Sequence, residues 1–127
     1  MGPAAKLRVG VVDDNRSVAE IITEILGGRD FVCHDAYDGR GALDLCRARE
    51  LDLLILDYRL PDLSGLEVVK RLAAEGRDIP TIIITAANDE PQGGWKGAPL
   101  VKAVVRKPFT GGELRRTVSE VTGRELP

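Results

Sequence analysis

Apart from the initial methionine, two cysteines and one histidine are the only soft or borderline metal ligands in this chain of 127 residues. Cys33 and Cys46 stand in apolar patterns without metal-type spacing, so they read as reduced core thiols of a cytosolic protein. His34, the lone histidine, falls in a strand-like run and reads as structural. No stretch approaches the roughly 18–20 apolar residues of a membrane span. The N-terminus, MGPAAKLRVGVV, shows no separate hydrophobic region ahead of a cleavage site. Residues 1–5 are set aside as a frayed end or cloning remnant. There is no excess charge of either sign: the formal net charge is -2, which offers no global field for gripping nucleic acid. An effect on DNA would have to pass through another domain or a partner.

What is present is an ordinary globular composition, with 43% hydrophobic and 30% charged residues. Short apolar runs at 7–12, 53–56 and 81–85, and weaker ones at 31–37 and 103–105, are rich in Val and Ile. They are near-continuous, the pattern of strands covered on both faces. Helical patterns lie between them. Val18, Ile21, Ile22, Ile25 and Leu26 share one face, closed by Gly27-Gly28. Ala42, Leu45 and Cys46 form a shorter stripe. Leu66, Val69, Leu72 and Ala73 form another, opened by Ser64 as N-cap and closed by Gly76. Leu114, Val118 and Val121 make the last, ending at Gly123. Residues 88–100, NDEPQGGWKGAPL, hold two prolines and three glycines where the alternation calls for a helix. Gly costs about 1 and Pro about 3 kcal/mol per interior helical position. The helix is expected to be short, broken or absent. Right-handed crossovers between the runs predict a doubly wound α/β domain with a parallel five-stranded sheet and helices on both faces. A single domain over 1–127 is expected, with its structured core at about 7–122.

In such a sheet the site lies beyond the carboxyl ends of the strands. Asp13 and Asp14 follow the first run, Asp57 the third and Thr85 the fourth, while Arg106, Lys107 and Pro108 follow the fifth. Singly, each has an ordinary reading: an N-cap for Asp13 or Asp14, a turn before Pro61 for Asp57, a strand end for Thr85, a solvated loop cation for Lys107. Jointly, they place three acids, a hydroxyl and an amine at one mouth. Clustered carboxylates repel as they lose water, and a hard divalent cation relieves this. Mg²⁺ (or Mn²⁺) takes oxygen ligands, so Asp14 and Asp57 could ligate directly, Asp13 through a water, and the backbone carbonyl of Arg59 could complete the protein's share. A carboxylate so placed can form an acyl phosphate, with Lys107 and Thr85 neutralising and hydrogen-bonding the phosphoryl oxygens.

The motifs VVDDN (11–15), LILDYRLPDLSG (54–65), IIITA (82–86) and RKPF (106–109) resemble those of the response-regulator receiver domain of two-component signalling, over nearly the whole chain. The resemblance implies a flavodoxin-like strand order, 2-1-3-4-5. It implies Asp57 as phosphoacceptor, Asp13 and Asp14 as the acidic metal pair, and Thr85 and Lys107 as switch hydroxyl and phosphate-binding amine. It also implies a cis peptide bond between Lys107 and Pro108. Arg59 and Ala87, two residues past Asp57 and Thr85, would flank the phosphoryl group and tune its lifetime. The expected phosphodonor is a histidine kinase or a histidine phosphotransfer domain. The output is expected in a domain or partner outside this chain, with no direct nucleic-acid or membrane contact, and a homodimer is left open. The chain would be cytoplasmic, and no enzyme beyond its own phosphorylation and dephosphorylation.

Two departures from the family pattern stand out. The position three before the lysine is usually aromatic and swings inward on activation; here it is Val104. The segment of the fourth helix is the Pro/Gly-rich 88–100 stretch, which also carries Trp95. Both fall on the family's usual output face. A phosphotransfer sink or relay module cut from a hybrid kinase is therefore the alternative reading. A flavin carrier on the same architecture would need a phosphate-cradling loop where Asp13-Asp14-Asn15 stands. A haloacid-type phosphatase would need one residue between its two acids.

Overall fold

The computed structural model describes residues 5–125; of the N-terminal stretch set aside above, residues 1–4 lie outside the described residues. The elements run β1 (Leu7–Val12), α1 (Arg16–Leu26), β2 (Phe31–Ala36), α2 (Gly39–Ala48), β3 (Leu53–Asp57), α3 (Gly65–Ala74), β4 (Thr81–Ala86), β5 (Val101–Lys107) and α4 (Gly111–Thr122). All four strand pairs are parallel, and the order is β2-β1-β3-β4-β5. This is the doubly wound arrangement the alternation predicts. β1, β3 and β4 are buried almost throughout, which is why they read as continuous apolar runs. β2 and β5 are the edges and are only partly buried, hence their weaker signal.

Side chains alternate across the pleat. Val9, Val11, Leu53, Ile55, Ile82 and Ile84 face α1 and α4, where Ala19, Ile22, Leu114 and Val118 meet them. Val12, Leu54, Leu56 and Ile83 face the opposite way, toward Ala42, Leu43 and Cys46 of α2 and Val68, Val69 and Leu72 of α3. Gly10 lies on that second face. A Cβ there would stand 2.9 Å from Leu51 Cδ1 and 3.0 Å from Leu54 Cδ1, so glycine lets the α2 side pack close to β1. Ile21 departs from the expected stripe: it is 50% exposed, and Ala19 takes the buried position instead. The covered strip of α1 is narrower than its apolar pattern. Cys33 and Cys46 are both unbridged, and burial pushes the Cys46 thiol up to about 11, far from a reactive thiolate at neutral pH.

Residues 88–100 form no helix. Asn88, Gly93, Gly94 and Gly97 all have positive φ, which breaks a right-handed helix four times over. The backbone runs instead through successive turns, closed by Gly94 N–H to the Pro91 carbonyl (2.9 Å), Ala98 N–H to Trp95 (3.2 Å) and Val101 N–H to Ala98 (3.0 Å). Ala98 and Leu100 are buried against the α2–α3 face, and Trp95 packs beside them.

Candidate functional site

The carboxyl ends of β1, β3, β4 and β5 converge at one end of the sheet. Asp13 leaves β1 with its backbone N–H tied to the Ala36 carbonyl (3.2 Å) and its Oδ1 accepting from Asn15 N–H (2.9 Å). The N-cap of α1 is Asn15, whose side chain accepts from Ser17 and Val18 N–H. The ordinary capping reading of Asp13 and Asp14 therefore fails, and both carboxylates are left to the site. Asp57 ends β3, its strand held in register by Asp57 opposite Ile84 and by Tyr58 N–H on the Ile84 carbonyl (2.8 Å).

One oxygen each of Asp13, Asp14 and Asp57 lies within 4.8 Å of the others. Asp13 is 1% and Asp57 6% exposed, while Asp14 faces solvent. Lys107 reaches across from β5 and donates to Asp13 Oδ2 (3.3 Å) and Asp57 Oδ2 (3.4 Å). The Lys107–Pro108 peptide bond is cis. Burial, and then repulsion from Asp13, push the Asp57 carboxyl above its ordinary value; Lys107 and the Arg59 N–H work against them. Burial alone would lower the Lys107 ammonium, but Asp57 and Asp13 outweigh it and hold it above its usual range. Three carboxylates, two of them buried, against one ammonium still leave an excess of negative charge. The donor set, all oxygen and poorly neutralised, fits a hard divalent cation better than any soft metal.

Thr85 is 1% exposed, and its hydroxyl donates to the Asp89 carbonyl at 2.6 Å. Arg59 comes to the site through its backbone N–H, which donates to Asp57 Oδ1 at 3.4 Å. Its guanidinium turns outward to Asp89, with Nε and Nη2 at 2.8 and 2.7 Å from the two carboxylate oxygens. Ala87 is exposed just beyond β4, and Val104 is half-buried on the α2–α3 face.

Three features of this end escape a reading of strand ends. Gly65 opens α3 so close to β3 that a Cβ would stand 2.8 Å from the Asp57 carbonyl oxygen. A glycine directly after the LPDLS turn is the signal that could reveal it. Asp62, in the same turn, accepts from Gly39 and Arg40 N–H at 2.7 and 2.9 Å, tying the start of α2 to the β3–α3 loop. Those backbone donors hold its carboxyl below the usual range. Asp89 and Glu90 are gripped by Arg59 and Arg106, and no sequence periodicity marks them.

A family model for the response regulator receiver domain matches residues 9–119. The chain belongs to that family. Among curated proteins, the response regulator MprA of Mycolicibacterium vanbaalenii is 40% identical over 80 residues, covering 63% of this chain and 35% of that protein. The cyclic di-GMP phosphodiesterase response regulator RpfG of Xanthomonas campestris is 35% identical over 122 residues, covering 91% of this chain and 32% of that protein. The chain thus spans about a third of the length of these curated relatives. Among solved structures, the receiver domain of NarL from Mycobacterium tuberculosis superposes with a TM-score of 0.82 at 26% identity, over 96% of this chain and 100% of that one. The response regulator TrrA of Thermotoga maritima, solved in complex with Mg(2+)-BeF, gives 0.77 at 28% identity, over 91% and 98%. Receiver domains accept phosphoryl groups and work between histidine kinases and output domains. They generally bind Mg²⁺ at an acidic pocket, and the receiver domain described above has such a cluster. Among the described residues, no helix is long and apolar enough to cross a membrane.

Proposed function

We propose that this receiver domain is a phosphorylation switch whose acceptor is Asp57, loaded by a histidine kinase or histidine phosphotransfer domain in a Mg²⁺-dependent (or Mn²⁺-dependent) reaction. The observation that carries the proposal is the position of the Lys107 ammonium between Asp13 and Asp57, within 3.4 Å of each, in a cluster that remains short of positive charge. A carboxylate oxygen of Asp57 attacks phosphorus as the P–N bond to the donor histidine breaks, and the leaving imidazole takes up a proton. Lys107 stays beside Asp57 through the transfer and offsets charge on the phosphoryl oxygens. Arg59 N–H, already on Asp57 Oδ1, orients the carboxylate. Asp13, Asp14, Asp57 and the Arg59 carbonyl would hold the metal, which supplies the remaining positive charge. Thr85, near the carboxyl end of β4, would offer its hydroxyl to a phosphoryl oxygen. Ala87 and Arg59 border the site and would set how readily water reaches it.

In this reading the domain acts in the cytoplasm and is no enzyme toward other substrates: it turns over only its own aspartyl phosphate. The output lies in a region or partner outside the chain. Two observations support a second reading, a phosphoryl sink or relay from a hybrid kinase: Val104 in place of an aromatic residue, and no helix over 88–100. Intact mass with Mg²⁺ and acetyl phosphate tests the acceptor: a gain of one phosphoryl group is expected, absent in Asp57→Asn. No gain in the parent protein refutes the reading. Amide shifts with Mg²⁺ and beryllofluoride then separate switch from sink, since only a switch carries changes out to Val104.

A further inference from the structure

The Asp89 residue is held twice, and both holds come from the phosphoacceptor's own surroundings. Its carbonyl accepts the Thr85 hydroxyl at 2.6 Å. Its carboxylate takes Nε and Nη2 of Arg59, the residue whose N–H rests on Asp57. Glu90 pairs with Arg106, the neighbour of Lys107. Beyond them the chain passes through Gly93, Gly94 and Gly97, all at positive φ. It then lays Trp95 edge-on against Tyr58, with centroids 5.3 Å apart and planes at 75°. Tyr58 sits between Asp57 and Arg59 in sequence, and the Arg59 guanidinium lies 4.8 Å from its ring centroid. The Asp57-Tyr58-Arg59 tripeptide therefore touches the 88–100 segment at two places, Asp89 and Trp95.

These holds are suited to exchange. The Arg59 side chain is 69% exposed, so its ion pair with Asp89 is solvent-screened. The Trp95 indole N–H is buried without a hydrogen-bond partner, so docking the ring sacrifices a donor that water would satisfy. A phosphoryl group on Asp57 carries about −1.5 to −2 charge and three strong acceptor oxygens. It would draw on the two groups that now serve Asp89, a hydroxyl and a guanidinium.

We propose that Asp89 is a latch: phosphorylation of Asp57 takes Thr85 and Arg59 from it, frees the 88–100 segment, and uncovers the Tyr58–Trp95 contact as the surface that reports the phosphorylated state. The inference rests on the reading of Asp57 as acceptor. It assigns the readout to a loop rather than to a helix and an aromatic rotation.

Trp95 is the only tryptophan in the chain, so its emission reads the latch directly. The full chain is titrated with Mg²⁺ and beryllofluoride. Bound beryllofluoride is followed by fluorine NMR, and Trp95 by emission maximum and iodide quenching. A red shift and at least a doubling of the quenching constant, saturating with the bound fluorine signal, are expected. Asp89→Asn and Arg59→Lys, which keep size or charge but lose the forked pair, should show much of that exposure without beryllofluoride. A bound fluorine signal with an unchanged Trp95 overturns the latch and leaves the acceptor reading standing. Unchanged Trp95 exposure in both variants overturns it as well. No bound fluorine signal in the parent protein overturns the acceptor reading and the latch together.

Discussion

The two faces of the sheet are closed by different means. One is covered by α1 and α4, with Ala19, Ile22, Leu114 and Val118 at helical spacing. The other is covered by α2 and α3 and then, beside β4 and β5, by the turns of 88–100 with Ala98, Leu100 and Trp95. A helix satisfies most of its own backbone groups, so the face it covers is held mainly by apolar contact, with Arg115 Nη1 on the Ile25 carbonyl joining α4 to α1. Turns leave N–H and C=O groups that must find partners elsewhere. In this molecule one such partner is the Thr85 hydroxyl, and the anchoring charge is Arg59. The irregular face is therefore tied to the surroundings of Asp57 through Asp89, whereas the α1–α4 face meets the site at a helix start, where the N-cap Asn15 donates to Asp13.

The largest expected effect lies on the chemistry and should leave the turns alone. Lys107→Ala removes the single cation that bridges Asp13 and Asp57. Loss of one such preorganised group typically costs about 10²–10³ in rate. Phosphoryl incorporation from acetyl phosphate, followed by intact mass, should fall by about that factor. Trp95 emission in the unphosphorylated protein should not change. A shifted Trp95 would mean that the charge cluster itself holds the segment, and the division drawn above would fail.

Two leucines compare the faces at constant chemistry. Leu114 is 0% and Leu100 5% exposed, one on α4 and the other at the end of the turns. Leu→Ala in a core costs about 2–5 kcal/mol, rising with the cavity that stays open. Leu114→Ala should fall near the top of that range, because α4 and α1 cannot close the gap. Leu100→Ala should fall near the bottom, because turn backbone can settle into it. Urea unfolding at equal m-values measures both, and equal losses would show the two faces to be equally rigid.

The same division governs what could be read from sequence. β1, β3 and β4 are legible because burial on both sides makes them almost uniformly apolar, and the acids at the ends of β1 and β3 mark the site. The Asp13–Asp14–Asp57 cluster and the reach of Lys107 follow from the carboxyl ends of the strands, with the strand order supplied by the family resemblance. The absence of a helix over 88–100 is legible because Pro and Gly report on backbone locally. What that segment does instead is not legible. Arg59 and Asp89 are 30 residues apart, and Asp62 caps a helix 22–23 residues before it. Charged residues at such separations carry no period that would announce a pairing. Ile21 misleads for a related reason: an apolar residue at the rim of a helical stripe obeys the spacing whether or not a neighbour covers it.

Without metal, the site should weigh against stability as pH rises. A carboxyl raised by burial and by Asp13, as Asp57 is, binds its proton more tightly folded than unfolded. The folded state then holds more protons between the ordinary carboxylate value, about 4, and the raised one, so stability falls as pH climbs through that window and stays lower above it. Asp57→Asn should remove this slope and, in chelator at neutral pH, raise Tm above that of the parent. Saturating Mg²⁺ should reverse the ranking, since ligand at a hundred times Kd adds about 2.7 kcal/mol to a protein that keeps its site. A variant no more stable than the parent in chelator would mean that Lys107 already balances the cluster.

The smallest effect separates the faces most finely. Gly76 closes α3 with φ 76°, and Gly97 stands in the turns with φ 79°. A Cβ would meet nothing within 4 Å at either position, so alanine costs only backbone conformation. The left-handed region costs an L-residue about 1–2 kcal/mol, while Gly→Ala returns about 0.4–1 kcal/mol by restricting the unfolded chain. Gly76→Ala should show a net loss of about 1 kcal/mol, because the Gly76 and Arg77 N–H groups bond to Ala73 and Leu72 and fix the backbone at the end of α3. Gly97→Ala should lose less than half of that, because the turns can redistribute their φ angles among Gly93, Gly94 and Asn88. Denaturation midpoints resolve such a difference. Equal losses would mean that the turns are held as firmly as a helix end, too firmly to be released by exchanging one hydroxyl and one ion pair.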